Sequence, residues 1–231
     1  MLFHDKRLSG DGTISCARCH NLASRGMDSL PHSIGIADQE GSVNAPTVFN
    51  AVFNLAQFWD GRAATLKEQV DGSVTNPIEM GSTWPDVIRK LESDSDYPRL
   101  FRNIYADKIN KDHVKDAIAA FEQTLVTVNS RFDQYLRGNS SAINHNEKRG
   151  YELFKSYGCS ACHQGMNVGG NMFQLFGVMN HYLADKKNAI KADLGRFNVT
   201  GKDADKYTFK VPSLRLITHT APISMMVAWQ P

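Results

Sequence analysis

The sequence has no apolar run approaching the roughly 18 to 20 residues that a bilayer-spanning helix requires. Its first residues, Met1 to Leu8, lack the charged n-region and apolar h-region of an export signal. It also lacks charge imbalance. A formal charge of +2, with no run of like charge and no basic stretch interleaved with aromatics, excludes nucleic acid as a partner. Cysteine is scarce, at four residues, and strand signals are few in the second half.

What remains is ordinary for a globular protein. With 231 residues, 42% apolar and 22% charged, the chain has room for one large domain or two small ones. Two fit better, because one five-residue signature occurs in each half: CARCH at Cys16 to His20 and CSACH at Cys159 to His163. These units consume every cysteine. In such a unit the two thiols are spaced to form thioethers with the vinyl groups of one haem, and the histidine reaches the iron as proximal ligand. Competing readings are a zinc site built from both pairs, a redox-active dithiol, or structural disulfides. Zinc does not explain a histidine directly after each second cysteine. A thioredoxin-like motif needs a βαβ setting that the surrounding sequence does not suggest.

Helical signals dominate. Val114, Ile118, Phe121, Leu125 and Val128 recur at helical spacing and predict a helix from Lys111 to Val128 capped by Asn110. Ser82 to Leu91 and Tyr97 to Tyr105 read as shorter helices, whereas Gly35 to Pro46 and Gly72 to Gly81 read as long loops. Leu136 to Asn144 is the linker candidate, after which Asn144 and Glu147 form a capping box leading through Tyr151 and Phe154 to the second motif. The expected fold is mainly α, with two cytochrome c-like haem domains, long loops and little strand. The first domain spans 1–140 and the second 141–231, each wrapped around a macrocycle that supplies the apolar surface short domains lack.

The strings LSGDGTISCARCHN (Leu8 to Asn21), NAPTVFNAVFNLAQFWDGRA (Asn44 to Ala63), NPIEM (Asn76 to Met80), GCSACHQGMNVGGNMFQ (Gly158 to Gln174) and VPSLR…TAP (Val211 to Pro222) resemble the bacterial di-haem cytochrome c peroxidases in order and spacing. The resemblance runs from about Leu2 to Pro222 and is far more specific than CxxCH alone. It implies two covalently bound haem c groups. Cys16, Cys19 and His20 would hold the peroxidatic haem, and Cys159, Cys162 and His163 a higher-potential haem that relays electrons. It further implies that Glu79 and Gln69 are the active-site pair and that Trp59 and Phe58 lie between the haems. A calcium ion at the domain interface would take the Asn44 side chain and the backbone carbonyls of Thr220 and Pro222, oxygen ligands suited to a hard cation.

The chemistry so implied is reduction of hydrogen peroxide to water, with Glu79 moving a proton from the near oxygen to the departing one and Gln69 orienting the substrate. Taken alone, Glu79 would pass for a solvated glutamate, Gln69 for soluble helix surface, Trp59 for core and Asn44 for a turn residue. Electrons would come from a small cytochrome c, a cupredoxin or quinol, and a homodimer is the candidate assembly. The setting implied is periplasmic, because haem attachment by the usual bacterial route occurs outside the cytoplasm. An export signal or anchor is therefore expected upstream of Met1.

Two departures stand out. Many members of the family place a distal histidine over the resting peroxidatic haem, but the aligned position here is Ile36, leaving His32 and Met27 as alternative ligands or a haem open on that face. After TAP the family continues with a string close to YFHDGS and a later methionine ligand for the second haem, whereas this chain reads ISMMVAWQP. Deleting one base from codons for Tyr-Phe-His-Asp-Gly-Ser-Val-Ala-Thr yields Ile223 to Pro231, so a frameshift is expected to end the chain early. On that reading Met225 and Met226 are not evolved ligands, His181 and His219 are weak substitutes, and one face of the second haem is left exposed, with poor folding as the consequence. Three rival readings stand beside the peroxidase. One is a di-haem electron carrier, for which Glu79 is the discriminating residue. Another is a relative of the di-haem enzymes that oxidise protein tryptophans, and the last a truncated product without function.

Overall fold

The structure is a computed structural model describing residues 1–178, 180 and 182–219. Most of its helices begin where short polar side chains satisfy free amide groups. A one-turn helix, α1 (Cys16–Cys19), carries the first motif. α2 (Leu66–Thr75) is capped by Thr65, which accepts from the Glu68 amide, while Glu68 reaches back to the amide of Ala64 at 2.8 Å. α3 (Trp84–Glu92) starts on Thr83 with Pro85 in its first turn, and α4 (Tyr97–Tyr105) likewise opens next to a proline, Pro98. α5 (Lys111–Gln123) starts on the expected Asn110 cap. α6 (Arg131–Leu136) and α7 (His145–Ser156) both open with capping boxes, Ser130 with Asp133 and Asn144 with Glu147. The second half adds α8 (Phe197–Thr200) and a two-stranded antiparallel ribbon of β1 (Phe173–Leu175) and β2 (Thr208–Lys210), so the fold is mainly helical with little strand.

Three expectations about element boundaries are corrected. α5 stops at Gln123 rather than Val128. Beyond it, the Leu125 carbonyl accepts from the Asn50 amide at 2.8 Å and the Thr127 amide donates to Asn50 Oδ1 at 2.9 Å. These tertiary hydrogen bonds compete successfully with one more turn of helix, and Val128 ends up exposed. Gly72, expected to open a loop, lies within α2, where the Phe58 ring packs over it. A Cβ at Gly72 would stand 2.6 Å from Phe58 Cζ, so a larger residue would push the ring away. The expected linker also begins later, since α6 runs to Leu136 and only 137–144 connect it to α7.

The principal core lies in the first half, where Val70 and Val74 of α2, Val87 and Leu91 of α3, Phe101 of α4 and Val114 and Ile118 of α5 form one cluster with Leu8. Val87, Leu91, Val114 and Leu8 are completely buried, each contributing about 1.5–3 kcal/mol of apolar burial. The second half has a smaller core around Leu183 and Phe209, against which Trp59 and Val43 of the first half pack. Arg215 further joins the halves, donating two hydrogen bonds to the Asp133 carboxylate at 2.9 and 3.2 Å. Among the described residues no helix is long and apolar enough to cross a membrane.

Candidate active site

Helix α1 is a single turn, so its first and last residues, Cys16 and Cys19, rise from the same side of the backbone. Both thiols and the His20 ring border a cavity of about 630 Å³. Its walls include Val48, Leu66, Val70 and Ile118, an apolar lining of the kind a cofactor pocket requires. His20 Nδ1 lies 3.3 Å from the Gly26 carbonyl, which leaves Nε2 as the ring nitrogen for a metal, and burial holds the imidazole pKa down so that the ligating neutral form persists. This combination of paired thiols, an oriented neutral imidazole and an apolar chamber suits a covalently attached haem.

It does not suit the rival readings. Burial pushes the Cys16 thiol up to about 12 and the Cys19 thiol to about 11, the opposite of an activated redox dithiol. No disulfide joins the four cysteines, and among the described residues no cluster of three or more His, Cys, Asp and Glu side chains could hold a metal ion.

Glu79 and Gln69 line the same cavity as His20, brought there by different elements. Gln69 sits on α2, half-buried, with Nε2 donating to Ser73 Oγ at 2.9 Å. The exposed helix surface expected for it is corrected, since α2 buries Leu66, Val70 and Val74 and turns Gln69 toward the cavity. Glu79 follows α2 in a turn where Asn76 Nδ2 donates to Glu79 Oε1 at 2.8 Å. The Glu79 carbonyl accepts from the Ile36 amide at 2.8 Å, which straps the loop around Gly35 against the turn. A Cβ on Gly35 would lie 2.0 Å from the Ile78 carbonyl oxygen, so only glycine lets the strands of chain approach this closely.

Ile36 itself packs against the principal core beside Gly81. His32 pairs with Glu40 on the surface at 2.7 Å, and Met27 is buried apart from the chamber; neither borders it. Phe58 and Trp59 both line the cavity, with the Arg62 guanidinium stacked 3.4 Å over the Phe58 ring and Trp59 Nε1 donating to the Asn44 carbonyl at 3.3 Å. Asn44 is buried beside them, but Thr220 and Pro222 lie outside the described residues, as do His181, Met225 and Met226.

The second motif is differently placed. Cys159 is exposed on a short 3-10 turn, Cys159–Ala161, entered through Gly158. Gln174 Nε2 approaches Cys162 Sγ at 3.8 Å, and the buried Nδ1 of His163 meets no hydrogen-bonding partner among the described residues. Leu153, Tyr157 and Met166 around it are exposed, and so is His219.

Two buried charged residues in the cavity wall escaped sequence reasoning. Glu122 lies one turn beyond Ile118 on the buried face of α5, a carboxylate among apolar positions, and that placement was a readable signal. Lys210, in β2, gave none, because a three-residue strand offers no periodicity.

Comparison with known proteins agrees with this geometry. A profile of the di-haem cytochrome c peroxidase family matches residues 1–141. The chain is 47% identical over 222 residues to cytochrome c peroxidase Ccp of Escherichia coli and 48% identical over 223 residues to cytochrome c551 peroxidase of Nitrosomonas europaea, with 96% of the chain covered in each case. It spans 47% and 65% of those relatives' lengths. The crystal structure of a MauG-like protein associated with microbial copper homeostasis superposes with a TM-score of 0.84 at 29% identity, covering 96% of this chain and 69% of that one. Fold, thiol pairs and sequence likeness converge, and the chain belongs to the di-haem cytochrome c peroxidase family.

Proposed function

We propose that this chain forms the peroxide-reducing part of a di-haem c-type peroxidase, consuming two electrons and two protons per peroxide and releasing two waters. The observation that carries the reading is that Glu79 and Gln69 border one cavity with Cys16, Cys19 and His20. Cys16, Cys19 and His20 would hold the peroxidatic haem, and Cys159, Cys162 and His163 the electron-transfer haem; when bound, haem would supply redox-active iron for cleavage of the O–O bond. The chain's own groups then manage the protons. Glu79, held at Oε1 by Asn76, accepts the proton of the near oxygen and delivers it to the far oxygen as water departs. Gln69, fixed by Ser73, presents its amide to the substrate oxygens. Trp59 and Phe58 occupy the junction of two haem domains, 1–140 and 141–231, and form the electron path between them.

The finer assignments rest on the same reading. A calcium ion at that junction would be held by the Asn44 side chain with the backbone carbonyls of Thr220 and Pro222, oxygen donors suited to a hard cation. The electron donor is a small redox protein or quinol, and the working compartment is the periplasm, where c-type haem is attached.

The test is to express the chain behind an export leader alongside haem-attachment machinery, and record the pyridine haemochrome spectrum and peroxide turnover with a chemical reductant. Two haems per chain, with turnover lost in Glu79→Gln, is the expected result. Two haems without turnover would leave an electron carrier and overturn the catalytic reading.

A further inference from the structure

Two lysines of the described residues are buried, and they are treated differently. Lys115 meets the carboxylate of Asp71. Lys210, only 7% exposed, forms no ion pair among the described residues: its Nζ donates to the Ala56 carbonyl at 2.9 Å, which takes one of its three protons. The carboxylate that acts on it through space, Asp60, is already bound to Arg62. Burying an ammonium group against a single neutral acceptor is costly, and the usual remedy is an anion. Lys210 also borders the chamber that holds Cys16, Cys19 and His20, entering it from the second half where its backbone amide donates to the Trp59 carbonyl at 2.9 Å.

We propose that Lys210 is the counter-cation for a carboxylate of the haem that Cys16 and Cys19 attach. This rests on the haem assignment above. Haem c has apolar vinyl-derived attachments on one part of its rim and two propionate carboxylates on another, so a pocket that grips the thioether side still has to neutralise the acidic one. The other cations bordering the cavity do not meet that need: Lys191 is exposed, and Arg62 is exposed, stacked on Phe58 and paired with Asp60. Burial lowers the Lys210 pKa to about 8, and a neighbouring anion would raise it again. Since β2 belongs to the second half, the contact would tie that half directly to the first haem, and its positive charge would favour the reduced iron.

The experiment is a spectroelectrochemical titration of the two-haem chain carrying Lys210→Met, which keeps the apolar stem and deletes the charge. The first haem's potential is expected to fall while the second haem's stays fixed. An unchanged first potential, or a shift confined to the second haem, overturns the proposal. Should Lys210→Met fail to accumulate, Lys210→Arg keeps the charge and is expected to shift the propionate bending band of the first haem in resonance Raman spectra; an unmoved band overturns the proposal. A wild-type chain without covalent haem would sink the haem assignment and this inference together, whereas a two-haem chain with an insensitive first haem would sink only the role of Lys210.

Discussion

Asn76 donates its side-chain amide to Glu79 Oε1 across 2.8 Å, three residues along the same turn. Asn76 also accepts from the Ile78 amide at 3.0 Å, so one side chain both shapes the turn and aims the carboxylate. Replacing it leaves Glu79 present but unaimed. Asn76→Ala is expected to lower kcat for peroxide by about 10- to 100-fold, as misplacement of a reacting group does. Glu79→Gln is expected to cost ~10²- to 10⁴-fold, the usual contribution of a proton-transfer group. Steady-state turnover at equal haem content measures both, and an Asn76→Ala enzyme with full kcat would refute the aiming role.

The close passage of Gly35 over the Ile78 carbonyl gives a stability prediction. Gly35→Ala forces the two segments apart and is expected to destabilise the chain by about 1–3 kcal/mol, the ordinary cost of overpacking. Urea unfolding would read this as a lower midpoint with an unchanged slope.

Glu122 predicts a pH dependence with a definite sign. Burial alone raises its pKa to about 7 from an ordinary 4.5, so between those values the folded chain holds a proton that the unfolded chain releases. Stability therefore falls as pH rises from 4.5 to about 7 and levels off above, by about 3 kcal/mol in total from this group. Glu122→Gln is expected to remove that slope and to be the more stable form at pH 8. Equal slopes in the two proteins, measured by urea titration at several pH values, would count against it.

Asp133 has the opposite sign. The Arg215 guanidinium hydrogen-bonded to it brings its pKa down to about 2 from 3.8, so its contribution is present above 3.8 and lost as pH falls toward 2. The expected size is ~1–2 kcal/mol, allowing for solvent screening. Arg215→Ala should show the loss at pH 7 and a shallower acid limb in its thermal melts. Because the pair joins α6 to the segment after β2, the same variant should loosen the second half first, seen as faster amide exchange there.

Some features were legible in the sequence because they depend on neighbours along the chain. A CxxCH unit carries its thiols and imidazole within five residues, and Asn110 and Asn144 satisfy amides only three positions away. NPIEM similarly contains both Glu79 and the Asn76 that aims it, although only the glutamate was singled out.

Other features depended on residues far apart in sequence. Asn50 ends α5 early by binding Leu125 and Thr127, and the Phe58 ring fills the space a side chain at Gly72 would need, yet neither partner is visible from the segment it meets. The sequence by itself determined the two paired-thiol motifs and most of the helix starts, since motif spacing and capping are local. Only the tertiary structure decided that Glu79, Gln69, Glu122 and Lys210 face one chamber, because burial and the meeting of distant charges arise when the chain packs.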